Sequence, residues 1–199
     1  MARYGMVIDL KLCIGCNACT MACKAEHGTQ PGVFWGKVLE KVWGKYPKPT
    51  RLFIPVLCYQ CSDPLCVAVC PTGASHVSEE GLVLIDYDKC AGCRACIANC
   101  PYPSRTYVSK VRFYFPDTPI PDDKRELLRH EGVVQKCDFC VERLRKDERP
   151  ACVEICPTSC REFGDIEDPE SEVSKLIASR EGFQLYPEKR TDPSVYYIR

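Results

Sequence analysis

The alternation of apolar and polar positions predicts short strands, two long insertions and a helix near the C-terminus. Arg3 to Asp9 (RYGMVID) reads as a short strand and Leu82 to Asp86 (LVLID) as a second. Between Gly28 and Leu57, the aromatic residues Phe34, Trp35, Trp43 and Tyr46 alternate with Pro31, Gly32, Gly44, Pro47 and Pro49, the pattern of an extended, hairpin-like insertion. Those aromatics either cap the core or form a surface on which a partner docks. Tyr102 to Lys136 carries Tyr107, Phe113, Tyr114 and Phe115, a loop broken by Pro116, Pro119 and Pro121, and a charged helical piece from Asp123 to His130. In the tail, Val173, Leu176 and Ile177 recur at helical spacing, with Asp168 as the cap, Pro169 in the first turn and Gly182 as the stop. Val195 to Ile198 reads as a closing strand, and the tail as a whole is expected to pack across the core without chemistry of its own.

Cysteines punctuate these elements in four arrays. The first is Cys13, Cys16, Cys19 and Cys23 (CIGCNACTMAC); the second is Cys58, Cys61, Cys66 and Cys70, followed by Pro71. The third is Cys90, Cys93, Cys96 and Cys100, followed by Pro101; the fourth is Cys137, Cys140, Cys152 and Cys156, followed by Pro157. Laying Cys13 on Cys90 also lays Ile8 on Ile85, Asp9 on Asp86, Gly15 on Gly92 and Ala18 on Ala95. Arrays two and four match in two pieces, because the fourth has a longer internal loop, Val141 to Ala151. Cys66-Val67 and Cys70-Pro71-Thr72 then fall on Cys152-Val153 and Cys156-Pro157-Thr158. The chain is a duplicated unit, each copy carrying one array of each type. Cys160, outside the arrays, falls on Ala74 and is expected to be a small buried side chain rather than a ligand.

Composition sharpens this. Seventeen cysteines in 199 residues would suit a disulfide scaffold, but sixteen of them fall in tight clusters, which suits shared metal centres. The hydrophobic content of 45% suffices for a globular core. The 27 Lys and Arg balance 27 Asp and Glu, so nothing points to nucleic acid or an acidic membrane surface. No run approaches the ~18 apolar residues of a membrane span. The N-terminus lacks a signal-peptide pattern, so a soluble chain without its own secretion signal is expected.

Zinc sites usually bind through two separated cysteine pairs, and a third cysteine two residues after the second is surplus to a tetrahedral ion. Three thiolates in C-x2-C-x2-C spacing instead wrap one side of an iron–sulfur cubane, and a further Cys-Pro reaches across to a neighbouring cluster. Sixteen cysteines fill the corners of four cubanes, leaving no open iron for substrate. No glycine-rich phosphate loop or His/Asp/Ser grouping suggests an enzyme, and His27, His76 and His130 read as scattered, solvated loop residues. Arrays two and three, separated by the short segment Pro71 to Lys89, pair as one two-cluster unit, and arrays one and four form the other.

The segments MVIDLKLCIGCNACTMACKAEHG, CVAVCPTGA, CRACIANCPY and PACVEICPTSCREFGDIEDPESEVSKL resemble the four-cluster iron–sulfur subunit of membrane-associated, dimethyl-sulfoxide-reductase-type molybdopterin oxidoreductases. The polysulfide, thiosulfate and arsenate reductase members are the nearest in pattern, and residues 28–57 and 102–136 match least. The resemblance implies a crossed ligation: Cys13, Cys16, Cys19 and Cys156 for one 4Fe-4S cluster, and Cys137, Cys140, Cys152 and Cys23 for a second. Cys58, Cys61, Cys66 and Cys100 would hold a third, and Cys90, Cys93, Cys96 and Cys70 a fourth. It further implies an α+β fold of two bacterial ferredoxin-like modules with inserted loops and a C-terminal helix and strand. The outer module would comprise residues 1–57 and 102–165, the inner 58–101, and the tail 166–199. Such a subunit relays single electrons, in anaerobic respiration, between a molybdopterin or tungstopterin catalytic subunit and a membrane-anchor, quinone-reactive subunit, and performs no bond chemistry itself. It would be membrane-associated only through partners, on the periplasmic side by co-export or on the cytoplasmic side. Alternatives are the same relay serving an aldehyde oxidoreductase, formate dehydrogenase, hydrogenase or soluble transhydroxylase-type complex, or a zinc- or disulfide-stabilised interaction protein.

Overall fold

The computed structural model describes residues 2–115 and 130–199. The loop around Pro116, Pro119 and Pro121 and the helical piece from Asp123, apart from His130, lie outside the described residues.

The core is built on β1 (Tyr4–Asp9), the central strand of a three-stranded sheet. It pairs antiparallel with β8 (Arg161–Asp165) and parallel with β9 (Val195–Ile198). Alternate side chains of a strand face opposite ways. Met6 and Ile8 enter the main core with Tyr59, Phe139, Val195 and Tyr197, while Val7 joins Ile198 and Val173 of the helix Glu172–Ser179. Both faces of β1 are thus covered, which is why RYGMVID carries a nearly continuous apolar run. Deep in the core Tyr59 and Tyr197 share a hydrogen bond of 2.8 Å, and Tyr197 donates to the Pro55 carbonyl at 2.7 Å.

Three further two-stranded sheets surround this one. β2 (Lys37–Trp43) and β3 (Thr50–Val56) form the expected hairpin. β4 (Ser75–Val77) pairs with β5 (Val83–Ile85), and β6 (Arg105–Val108) with β7 (Val133–Lys136). The duplication is visible in the register. Ile8 lies opposite Arg161 and Met6 opposite Phe163, while Ile85 lies opposite Ser75 and Val83 opposite Val77. These are the same pairs under the repeat, although one pair is a local hairpin and the other joins the two ends of the chain.

Helices are short: α1 (Ala18–His27), α2 (Leu65–Ala68), α3 (Ala95–Ala98), α4 (Val141–Leu144), α5 (Ala151–Glu154) and α6 (Glu172–Ser179) among the described residues. The tail helix starts later than the sequence suggests. Ser171, not Asp168, is its cap, because the Ser171 hydroxyl accepts from the Ser174 amide at 3.2 Å while Asp168 turns the preceding loop through the Glu170 amide. Among the described residues no helix is long and apolar enough to cross a membrane.

The aromatic residues of the insertion divide. Trp35 is buried, its indole N–H donating to Gln135, whereas Phe34 and Trp43 are about half exposed and Tyr46 is 95% exposed.

Candidate metal centres

Each array begins with a tight turn of unusual hand. The residue before the second cysteine has positive φ in all four: Gly15 at 71°, Gln60 at 46°, Gly92 at 63° and Phe139 at 60°. Asn17 and Arg94, just after the second cysteine of arrays one and three, are also left-handed, at 60° and 63°. Turns of this kind gather backbone N–H groups on one side and favour anions there. For a side-chain-bearing residue the conformation costs ~1–2 kcal/mol, so its recurrence at Gln60 and Phe139 marks a demand of the loop rather than of glycine. The third cysteine of each array then sits on the helical turn that follows, Cys19 on α1, Cys66 on α2, Cys96 on α3 and Cys152 on α5.

Three small cavities lie among these loops. The first is walled by Cys70, Cys90, Cys93 and Cys96, the second by Cys13, Cys16, Cys19 and Cys156 with Cys160 beside them, and the third by Cys58, Cys61, Cys66 and Cys100. Each therefore gathers three cysteines of one array and the last cysteine of another. The remaining four are also neighbours: Cys137 acts electrostatically on Cys23, Cys140 on Cys137, and both Cys152 and Cys23 on Cys140. Burial pushes Cys23 and Cys137 above the ordinary thiol range, helped next by the neighbouring thiols at Cys23 and by Asp138 ahead of the thiols at Cys137, so a metal would have to displace their protons.

Cys70 and Cys156, equivalent under the repeat, are surrounded alike. Burial raises both thiols, but backbone amides and a threonine hydroxyl two residues on (Thr72, Thr158) outweigh it and bring them below the ordinary range. The Ser75 amide donates to Cys70 Sγ and the Cys160 amide to Cys156 Sγ, both at 3.3 Å. Cys160 is itself buried, its thiol 3.5 Å from Cys156 Sγ.

Four sets of four thiols inside anion-favouring loops fit iron–sulfur cubanes. A family described as "4Fe-4S dicluster domain" matches residues 50–113 and 118–166, and a second of the same description matches residues 12–74. Full-length relatives agree. A putative dimethyl sulfoxide reductase iron–sulfur subunit of Halobacterium salinarum is 41% identical, covering 100% of this chain and 79% of its own length. An arsenate respiratory reductase iron–sulfur subunit of a Shewanella species is 38% identical, over 99% and 96%. A polysulfide reductase chain of Wolinella succinogenes is 39% identical, over 98% and 94%. The protein belongs to the 4Fe-4S dicluster iron–sulfur subunits of such reductases.

Two dicluster domains give this iron–sulfur subunit four 4Fe-4S clusters, and its role is to relay electrons among them. Its architecture adds groups that array spacing did not reveal. Thr191, from the tail, lines the third cavity, and its hydroxyl meets the Tyr102 hydroxyl at 2.7 Å. Burial pushes the Cys61 thiol up to about 12, and a hydrogen bond with Thr191 opposes that shift. The tail therefore reaches the chemistry it was expected only to cover.

The histidines also depart from expectation. His27 closes α1, packs against Trp35 at 4.5 Å and brings Nε2 to 3.3 Å from Cys140 Sγ. His76 lies in β4, and His130 packs against Tyr87 at 5.4 Å. All three are partly buried rather than solvated.

Charge compensation comes from within. Arg105, Lys136 and Arg161 are 6%, 2% and 3% exposed, and among the described residues none pairs with a carboxylate. An isolated buried cation is costly. In this subunit their nearest polar neighbours include array sulfurs: Arg105 Nη2 lies 2.7 Å from Cys66 Sγ, and Arg161 Nη2 3.4 Å from Cys19 Sγ. Arg161 Nε has no hydrogen-bond partner at all among the described protein atoms. An anionic 4Fe-4S cluster beside these sulfurs would supply the missing countercharge.

Proposed function

We propose that this subunit carries single electrons between a molybdopterin (or tungstopterin) catalytic subunit and a membrane subunit that exchanges electrons with quinone, and catalyses no bond chemistry. The observation that supports the reading is the crossed gathering of cysteines, three from one array with the last of another, around three cavities and in one further buried group. Cluster 1 is held by Cys13, Cys16, Cys19 and Cys156, and cluster 2 by Cys137, Cys140, Cys152 and Cys23. Cluster 3 is held by Cys58, Cys61, Cys66 and Cys100, and cluster 4 by Cys90, Cys93, Cys96 and Cys70. The two modules are the outer one, built from arrays one and four, and the inner one, built from arrays two and three. Association with the membrane is through partners.

Each cluster supplies a reversible one-electron couple; the protein holds it, excludes water and tunes it through charge, hydrogen bonds to sulfur and burial. The outlets of the relay are clusters 1 and 4, since Cys16 and Cys93 are the exposed array cysteines whereas Cys23, Cys137, Cys140 and Cys58 are buried. Ile14, which lines the cavity of cluster 1 and is more than half exposed, offers apolar surface there suited to a partner.

Anaerobic purification with iron and acid-labile sulfide analysis tests this. About 16 iron atoms per chain are expected for four cubanes, and co-purification of a molybdopterin subunit identifies the partner. A zinc-loaded or cluster-free protein refutes the reading.

A further inference from the structure

Three of the buried cations stand beside array cysteines. Arg161 directs Nη2 to Cys19 of cluster 1, at 3.4 Å, and Nη1 to Cys152 of cluster 2, at 3.8 Å. Arg105 directs Nη2 to Cys66 of cluster 3, at 2.7 Å, and its charge also acts on Cys96 of cluster 4. Lys136 donates to the carbonyl of Cys137, a cluster 2 residue, at 2.8 Å, and its charge acts on Cys66 of cluster 3. Cys137 and Cys58 lie close enough to influence each other, so clusters 2 and 3 face one another across the module boundary. One buried cation therefore stands at each junction in the series 1, 2, 3, 4.

The repeat makes the arrangement harder to ascribe to ancestry. Under the duplication Arg161 falls on Ser75, and Cys19 and Cys152 fall on Cys96 and Cys66. The inner copy has no arginine at that strand position. Arg105 comes instead from β6, hydrogen bonds the Ser75 hydroxyl at 2.9 Å, reaches Cys66 Sγ and acts by its charge on Cys96. Two copies thus place a guanidinium between the same two cysteines from different points in the chain.

Resting on the four-cluster relay reading, we infer that Arg161, Lys136 and Arg105 are electrostatic spacers that hold up the reduction potentials of the clusters flanking them and allow neighbours to be reduced together. The physical ground is simple. Adding an electron to one cluster makes an anion more negative and repels an electron on the next. A fixed positive charge between them favours both reduced states, and strongly so, because burial leaves little water to screen it. An arginine stays protonated in all conditions used, so the spacer is permanent at two of the three junctions.

The test uses the full-length subunit in its complex, purified anaerobically, with Arg161→Gln, Lys136→Gln and Arg105→Gln and the charge-keeping Arg161→Lys, Lys136→Arg and Arg105→Lys. Equilibrium redox titration followed by electron paramagnetic resonance reads each cluster. Each glutamine variant is expected to lower two of the four reduction equilibria about tenfold, ~59 mV for a one-electron couple, and to leave the other two within threefold. The cluster moved by both Arg161→Gln and Lys136→Gln is then cluster 2, and that moved by both Lys136→Gln and Arg105→Gln is cluster 3. Charge-keeping variants should stay near the parent. Unmoved potentials in fully loaded glutamine variants overturn the inference, as does an equal shift of all four clusters. Where a glutamine variant fails to load iron, the charge-keeping partner decides: full loading with parent potentials supports the spacer role, and loss of clusters overturns it in favour of shape. A parent protein well short of ~16 iron atoms would instead refute the relay reading itself.

Discussion

Replacing Gly92 by alanine isolates what the array turns demand. Gly92 and Gly15 are equivalent under the repeat, and both have positive φ, so an alanine costs ~1–2 kcal/mol at either from backbone conformation alone. Their surroundings differ. A methyl at Gly15 meets the ring of Phe53, 2.4 Å away, on the β2–β3 hairpin, a side chain that must turn aside to admit it. A methyl at Gly92 meets the carbonyl oxygen of Gly132 at 2.0 Å, and Gly132 is pinned through its amide to the Val108 carbonyl at 2.7 Å, closing the β6–β7 ladder. Backbone so anchored does not yield cheaply, and overpacking adds ~1–3 kcal/mol. Gly92→Ala is thus expected to cost about 2–5 kcal/mol against about 1–2 for Gly15→Ala, a large share of a typical ~5–15 kcal/mol total. Anaerobic iron analysis and thermal melting of both variants measure this. Gly92→Ala should fall towards ~12 iron atoms, losing the cluster of Cys70, Cys90, Cys93 and Cys96, while Gly15→Ala keeps ~16. Equal iron content and equal melting points in the two variants would refute the reasoning.

Two further outcomes follow from long-range contacts. Cys23→Ala should remove the cluster of Cys137, Cys140 and Cys152 and spare that of Cys13, Cys16 and Cys19; spectroscopic loss of the Cys13 cluster instead breaks the proposed crossing. Alkaline titration probes the buried tyrosine pair, because burial, against the opposing Tyr59 hydrogen bond, pushes Tyr197 from its ordinary 10 up to about 12. The proton is held more tightly in the folded state, so this contribution is complete below about pH 10 and is lost as pH rises to about 12, some 2–3 kcal/mol in all. Stability measured by denaturant melts should fall more steeply across that window for the parent than for Tyr197→Phe, in which the buried Tyr59 still contributes; a parent curve level from pH 10 to 12 contradicts the burial argument.

Much of the site was legible in the sequence because cluster-binding loops are local. Three cysteines within seven residues, a left-handed turn and the first turn of a helix are set by neighbours in sequence, and the duplication repeated that local solution. The strands at Tyr4–Asp9 and Val195–Ile198 were equally plain, being short apolar runs between turn residues. The tail helix was mis-started by three residues because Asp168 and Ser171 are both competent caps, and only the contact of the Ser171 hydroxyl with the Ser174 amide selects one. His27 was misjudged for a similar reason: its burial depends on Trp35 and on Cys140, 113 residues away.

The sequence by itself therefore determined the cofactor class, the number of clusters and the duplicated plan, since each rests on residue type and short spacing. Only the tertiary structure decided which charges lie between which sulfurs. Arg161 touches Cys19 across 142 residues and Arg105 touches Cys66 across 39. No pattern in the sequence distinguishes these cations from the other basic residues that balance its acids, because a charge acquires its effect from burial and distance, and both are properties of the folded protein.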